Sequence, residues 1–291
     1  MFLIYHIVKY EQFMFGMRCV SMRKDKKVLL ITASILPQEK RFLKLKDPKR
    51  RLCQYLNSLR FYIIQTNMSH IVMCDNSAYE FPSDKMLALA KRYGKELEIL
   101  QFSGSERKIS SRGKGYGEGE IIEYALTHSR LLKEADFFIK VTGRLKVRNI
   151  DQIAAHMDMD KIYINREIRD FRASQKQGLQ MNTVIYGMPK SVYMSEFADA
   201  YKEVWDIHKV YLEHVFYNRS VENGLNVCNL PFFPVIAGIS GTGGNHYQDT
   251  IGWERRVYDL LCRRQLFNND LIRNTITYTF DILIRGIKDG K

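Results

Sequence analysis

The sequence predicts an α/β protein built on a doubly wound, mostly parallel sheet. Three observations lead there. Short, continuously apolar runs recur, as strands buried on both faces of a parallel sheet read. Stretches with apolar residues at helical spacing alternate with those runs. The connections are short, so successive units are expected to pack by right-handed crossovers. With 45% hydrophobic and 26% charged residues, the 291-residue chain has the composition of a globular protein with a sizeable core, not of a disordered one.

Each element is expected in turn. Val28–Ile35, VLLITASI, reads as the first buried strand. Leu52–Thr66 is helical, with Leu52, Tyr55, Leu56, Leu59 and Ile63 on one face. His70–Cys74, HIVMC, is a second strand ending on Asp75-Asn76-Ser77. Asp84–Tyr93 is a helix stopped by Gly94. Leu97–Phe102, LEILQF, is a third strand. A Gly-rich loop, Gly113–Gly119, is expected to open a helix over Glu120–Ala135, and Phe137–Val141 follows as a fourth strand. The second half is less regular: Lys161–Ile164 and Thr183–Tyr186 read as strands, Ser191–Tyr217 as one long helix or two, and Asn223–Tyr247 as an ordered loop region with a strand. Trp253–Leu266 and Leu271–Ile287 read as helical or mixed. Residues 1–26 are taken as an N-terminal extension: Met1–Met17 is apolar but interrupted by Lys9 and Glu11, without a cleavage site.

The net charge of +13 favours an anionic partner. Nucleic acid is set aside, because zinc-finger spacing, RNA-binding aromatic signatures and heptads are absent. The densest basic run, Lys40–Arg51, has two readings: a solvated helix start, or contact with an anionic membrane leaflet at about 1 kcal/mol per cation. The five cysteines are scattered and odd in number, as buried free thiols of a reducing compartment would be. Without an apolar run of roughly 18 residues the chain is expected to be cytoplasmic, with peripheral contact at the inner face of the membrane left open.

In a doubly wound sheet, ligands bind outside the carboxyl ends of the strands. The polar residues at those ends are therefore the candidate site: Thr32 and Ser34, Asp75, Asn76 and Ser77, Ser103, then Lys140, Thr142 and Arg144, with Gly143 between the last two. In Lys140–Arg144, KVTGR, glycine lets a backbone approach a ligand and the cations suit a diphosphate; a tight turn with solvated cations is the alternative. Lys140 lies within an apolar strand and needs a partner. In Arg112–Glu120, RGKGYGEGE, the helix start with Arg112, Lys114 and Glu118 either binds phosphate or is simply capped. It is neither a Walker loop nor a dinucleotide fingerprint. Glu213 and His214 sit in the aromatic run YLEHVFY, either as a general base toward a hydroxyl or as a salt-bridged pair. Gly238–Gln248, GISGTGGNHYQ, reads as a lid carrying His246, or as an ordinary long loop.

On these residues the chain resembles the GT-A superfamily of nucleotide-sugar glycosyltransferases, particularly bacterial enzymes of capsule and lipopolysaccharide assembly. The resemblance covers roughly Val28–Ile150. Asp75-Asn76-Ser77 looks like the second-strand acidic residue that contacts the nucleotide. GEGEIIEYALTHSRLLKEADFFIKVTGR looks like the helix and strand leading to the metal-binding Asp-x-Asp, but KVTGR stands where that motif belongs. The resemblance implies a Rossmann-like GT-A fold with an α-rich C-terminal acceptor region. Residues 27–150 would be the nucleotide-sugar half and 151–291 the acceptor half of one domain. It implies a nucleotide-sugar donor, a glycan or lipid-linked acceptor, and an acidic residue of the second half as base in an inverting transfer, for which Glu213 is the best-placed candidate. No cofactor is firmly implied; a divalent metal stays open, though its carboxylate pair is missing and cations can neutralise the departing diphosphate instead. A sugar-phosphate nucleotidyltransferase and a non-catalytic binder of anionic polymers are the alternatives.

Overall fold

The computed structural model describes residues 26–38, 44–168, 179–239 and 246–247. Trp253–Leu266, Leu271–Ile287 and most of residues 1–26 lie outside the described residues, so the C-terminal region expected to be α-rich is described only in part. The elements are β1 (Lys27–Ala33), α1 (Pro48–Gln65), β2 (His70–Asp75), α2 (Ser83–Arg92), β3 (Glu96–Gln101), α3 (Glu106–Arg112), α4 (Lys114–His128) and the single turn α5 (Arg130–Lys133). Then come β4 (Phe137–Thr142), β5 (Lys146–Val147), α6 (Ile150–Ala155), β6 (Ile162–Ile168) and β7 (Leu179–Pro189). After the short turn α7 (Lys190–Val192) the chain reaches α8 (Leu212–Glu222), β8 (Val227–Cys228), β9 (Ile236–Ile239) and β10 (His246–Tyr247).

Seven of these strands form one sheet in the order β3-β2-β1-β4-β7-β6-β8. β1 is parallel to both β2 and β4, β2 is parallel to β3, and β6 to β8; only β7 runs against its neighbours β4 and β6. The expected doubly wound, mostly parallel sheet is therefore present, Rossmann-like and flanked by helices on both faces. The central strands β1 and β4 are apolar on both sides because both faces are covered, and they carry no period-2 alternation. On one face Leu29, Ile31, Phe137 and Ile139 pack on Tyr55, Leu59 and Tyr62 of α1 and on Ile150 and Ile153 of α6. On the other, Val28, Leu30 and Phe138 pack on Ile122 and Ala125 of α4 and on Tyr193, Phe197 and Phe216.

Two expected elements are corrected. The helix expected over Glu120–Ala135 starts at Lys114 and ends at His128, so the glycines belong to its first turns. Gly119 faces Tyr201, where an added Cβ would lie 2.0 Å from the tyrosine Cβ; Gly115 meets Leu212 and Val204, and Gly117 meets Asn76 and Ile109. The glycines lower helix propensity, but they let the chain of residues 200–212 approach the α4 backbone, and that packing outweighs the propensity. Ser191–Tyr217 is not one or two regular helices. It is a π turn (Tyr193–Phe197), two 3-10 turns (Ala200–Glu203 and Asp206–His208) and then α8. The helix α3 was hidden from the periodicity because a seven-residue helix with one buried apolar residue, Ile109, has no stripe to detect.

Candidate active site at the carboxyl edge of the sheet

β1 feeds β2 on one side while β4 lies on its other side, so the strand order reverses between β1 and β4. A crevice is expected outside the carboxyl ends at such a reversal. The backbone there is tight. Gly143 N–H donates to the Thr32 carbonyl at 2.9 Å, and a Cβ on Gly143 would lie 2.4 Å from that oxygen. The close approach that requires glycine here is to β1 itself. Thr32 is buried, its hydroxyl directed to the Val141 carbonyl at 3.4 Å.

Two clusters flank this point, one on each face. On the α1 face are Arg51 and Arg144. Arg51 is buried and donates to the Ser34 and Ile35 carbonyls from Nε at 3.0 and 3.2 Å and to the Leu45 carbonyl from Nη1 at 3.3 Å. Burial lowers its pKa, and the nearby Arg144 charge lowers it further, against opposing contributions from Tyr55 and Asp75. Arg144 donates from Nη1 to Gln54 Oε1 at 3.2 Å, while its buried Nε has no acceptor among the described residues. Asp75 is buried too: its carboxylate accepts from Ile35 N–H at 2.9 Å and from the Ser77 backbone and hydroxyl at 3.2 and 2.8 Å. Ser77 Oγ also accepts from Leu36 N–H at 3.1 Å. Asp75 and Ser77 thus bind the loop after β1, and burial raises the Asp75 pKa even though these hydrogen bonds oppose it. Ser34 gives its carbonyl to Arg51 and its N–H to the Tyr55 hydroxyl. Asn76 donates to the Gly117 carbonyl at 3.4 Å, and its buried Oδ1 has no donor among the described residues.

On the α4 face the structure links five residues. Lys140, 0% exposed, donates to Glu118 Oε1, to Thr142 Oγ1 at 3.3 Å and to the Thr183 carbonyl at 2.6 Å. The Thr183 hydroxyl donates to Glu213 Oε1 at 3.1 Å. The partner that Lys140 required is therefore Glu118, and all three ammonium protons have acceptors within the protein. The network Glu118–Lys140–Thr183–Glu213 joins α4, β4, β7 and α8. Glu213 does not pair with His214, whose ring meets the Lys209 carbonyl at 3.1 Å instead.

The remaining expected site residues make other contacts. The start of α4 is capped by the Asp206 carboxylate, which accepts from Lys114 N–H at 3.1 Å and would lie 2.1 Å from a Cβ on Gly113, whose φ is +117°. The orphan amide and the helix dipole already have an anion there. Arg112 stacks on the Trp205 ring at 4.5 Å. Of the lid segment, Gly238–Ile239 pair with His246–Tyr247 as two antiparallel strands, and β9 also pairs with β5 beside Arg144; the His246 side chain lies outside what is described. In the basic run, Arg51 is buried while Lys44, Lys46, Lys49 and Arg50 are exposed. Cys53 is exposed, Cys74 buried and Cys228 half-buried, all free thiols, so burial holds for only part of the set. Among the described residues no three His, Cys, Asp or Glu side chains gather to hold a metal, and no helix is long and apolar enough to cross a membrane.

Sequence reasoning missed Arg51, Thr183 and Asp206. Arg51 had a signal: it lies four residues before Tyr55, on the apolar face of α1, where a cation must be held by something. Thr183 and Asp206 had none, since their partners are 30 and 92 residues away.

No protein-family model matches the chain, and no curated protein matches it. Solved structures with some likeness include a nucleoside-diphosphate-sugar pyrophosphorylase from Vibrio cholerae RC9, at 14% identity over 70% of this chain and 91% of that one, TM-score 0.40. The galactosyltransferase LgtC, solved with donor and acceptor sugar analogs, shares 14% identity over 70% and 74%, TM-score 0.43. The mannosyltransferase Ktr4p from S. cerevisiae shares 10% over 79% and 73%, TM-score 0.43. At these values the function rests on the geometry of the chain itself.

Proposed function

We propose that this chain is a glycosyltransferase that takes a sugar from a nucleotide-sugar donor and passes it to a glycan or lipid-linked acceptor of a cell-surface polysaccharide. The observation that carries the reading is Arg144: a guanidinium at the β1/β4 reversal, its buried Nε without an acceptor among the described residues, beside a second guanidinium, Arg51. Two cations close together at a ligand-binding edge favour an anion between or above them, and a diphosphate has the charge and the acceptor oxygens for it.

In this reading Arg144 holds the donor diphosphate, and Arg51 shapes the loop Ser34–Leu36 beside it. Asp75 and Ser77 act by fixing that loop, with Thr32, Asn76, Thr142 and Gly143 lining the crevice. Glu213, on the other face, takes the proton of the acceptor hydroxyl. That oxygen attacks the anomeric carbon, the bond from sugar to phosphate breaks, and the negative charge gathering on the leaving diphosphate is stabilised by Arg144. Lys140 positions Glu118 and, through Thr183, Glu213. Charge stabilisation by side-chain cations makes the reaction metal-independent in this proposal.

The test is a thermal-shift screen of the full chain against nucleotides and nucleotide sugars, with and without Mg²⁺ or Mn²⁺. One nucleotide sugar is expected to raise Tm without metal. Binding that strictly needs a metal would overturn the metal-free mechanism. A sugar 1-phosphate plus nucleoside triphosphate as the only productive substrates would overturn the class in favour of a nucleotidyltransferase.

A further inference from the structure

Around the second 3-10 turn, just before α8, the chain makes a tight hairpin. Trp205 and Val210 bond to each other through both backbones, Trp205 N–H to the Val210 carbonyl at 2.8 Å and Val210 N–H to the Trp205 carbonyl at 3.2 Å. Lys209 stands in the left-handed region at φ 59°, which closes the turn. Its apolar side chains point out: Trp205 is 42% exposed, Ile207 54% and Val210 37%. Scattered surface hydrophobics need no explanation, but three on one hairpin form a knob. The one acid in the hairpin, Asp206, is turned inward to cap α4. The rim is cationic. Arg112 stacks on the Trp205 ring at 4.5 Å, Lys209 is exposed at the tip, and the adjoining α3 carries exposed Arg107 and Lys108 against one acid, Glu106.

An apolar tip with a tryptophan, ringed by cations, is complementary to an interface whose outer layer is anionic and whose inner layer is apolar. We propose that the hairpin Trp205–Val210 docks on an anionic lipid surface, with Trp205, Ile207 and Val210 entering the headgroup region and Arg112, Arg107, Lys108 and Lys209 facing lipid phosphates. Its place in the fold gives this a consequence. A crossover helix runs against the strands it connects, so the start of α4, which Asp206 caps, lies at the carboxyl edge of the sheet. Glu213 follows three residues after Val210. The knob therefore sits at the same end as the candidate site, and, on the glycosyltransferase reading above, it selects an acceptor carried in the membrane.

The experiment is flotation of the full chain with phosphatidylcholine vesicles, with and without phosphatidylglycerol. Binding is expected only to the anionic vesicles, and it should weaken as salt is raised. The double variant Ile207→Ser/Val210→Ser, with unchanged circular dichroism and Tm, is expected to bind about tenfold or more weakly. Because the chain has two tryptophans, Trp253→Phe leaves Trp205 as the reporter, and its emission should shift to the blue on anionic vesicles. Absence of anionic-vesicle binding would overturn the proposal, as would undiminished binding by the double variant. Self-association in sedimentation that the same double variant abolishes, without vesicle binding, would make the knob a protein contact and overturn it as well. Donor binding is read separately by thermal shift: its loss counts against the glycosyltransferase reading, and loss of vesicle binding alone counts only against the knob.

Discussion

Lys140 and Arg144 come from the same five-residue motif and meet opposite surroundings. Lys140 points to the α4 face, is wholly enclosed, and has each of its three donors taken by Glu118, Thr142 and Thr183. Arg144, just past the strand end, points to the α1 face, touches Gln54 and keeps a buried Nε without an acceptor among the described residues. The first cation is a structural tie between four elements; the second has capacity left for an anion. A cluster of positive charge in a sequence is thus two different things once the strand's pleat and its end have assigned the side chains to faces.

The largest expected effect tests the first half of that contrast. Lys140→Met removes the cation from a buried pair and leaves Glu118 and the Thr183 carbonyl without it, so stability should fall by about 3 kcal/mol, read by urea unfolding. A loss below about 1 kcal/mol would mean that the pair is not a tie. Next comes the packing that holds α4 to residues 200–203. Gly119→Ala puts a Cβ 2.0 Å from Tyr201 Cβ and should cost about 2–3 kcal/mol by overpacking, with Tm as the readout. The second half of the contrast predicts that Arg144→Ala leaves stability within about 0.5 kcal/mol but weakens nucleotide-sugar binding by about 2 kcal/mol, roughly thirtyfold, in titration calorimetry. Equal losses of stability and binding would erase the distinction between the two cations.

The smallest effect is one of pH. Burial raises the folded-state pKa of Asp75 above its ordinary 3.8, so the folded protein holds that proton more tightly than the unfolded chain does. Stability contributed by this group is then present at pH below 3.8 and is lost as pH rises through the raised folded value. Asp75→Asn lacks that slope. The difference in unfolding free energy between wild type and variant should shift as pH rises above the ordinary carboxylate range, wild type losing ground. A flat difference would show that the carboxylate is not desolvated as its surroundings require.

Much of the first half was legible because its signals are local. Each strand from β1 to β4 is a run of apolar residues bounded by polar ones, and α1 and α2 have their stripes and stops within their own sequence. The gathering of Thr32, Asp75, Thr142 and Arg144 at one edge followed from strand order alone. The role of the glycines from Gly113 to Gly119 did not follow, because a phosphate-binding loop and a close-packing helix face use the same residue type. What separates them is the presence of Tyr201, Val204 and Asp206, which come more than 80 residues later and have no motif of their own. Glu213 was picked for its charge in an aromatic helix; that it would share Thr183 with the Lys140 network depends on β7 running antiparallel beside β4, which no local pattern states.

The sequence by itself determined the α/β class, the order of the first seven elements apart from α3, and the set of polar residues at the strand ends, since these depend on side-chain periodicity and on the short reach of the connections. Tertiary structure decided which of those polar groups are already satisfied. Asp75 serves the loop after β1, Lys140 serves Glu118, and the start of α4 serves Asp206. Arg144 keeps a donor unmet among the described residues. A hydrogen bond or ion pair is settled only when its partner arrives, and here the deciding partners arrive from segments 22 to 92 residues away.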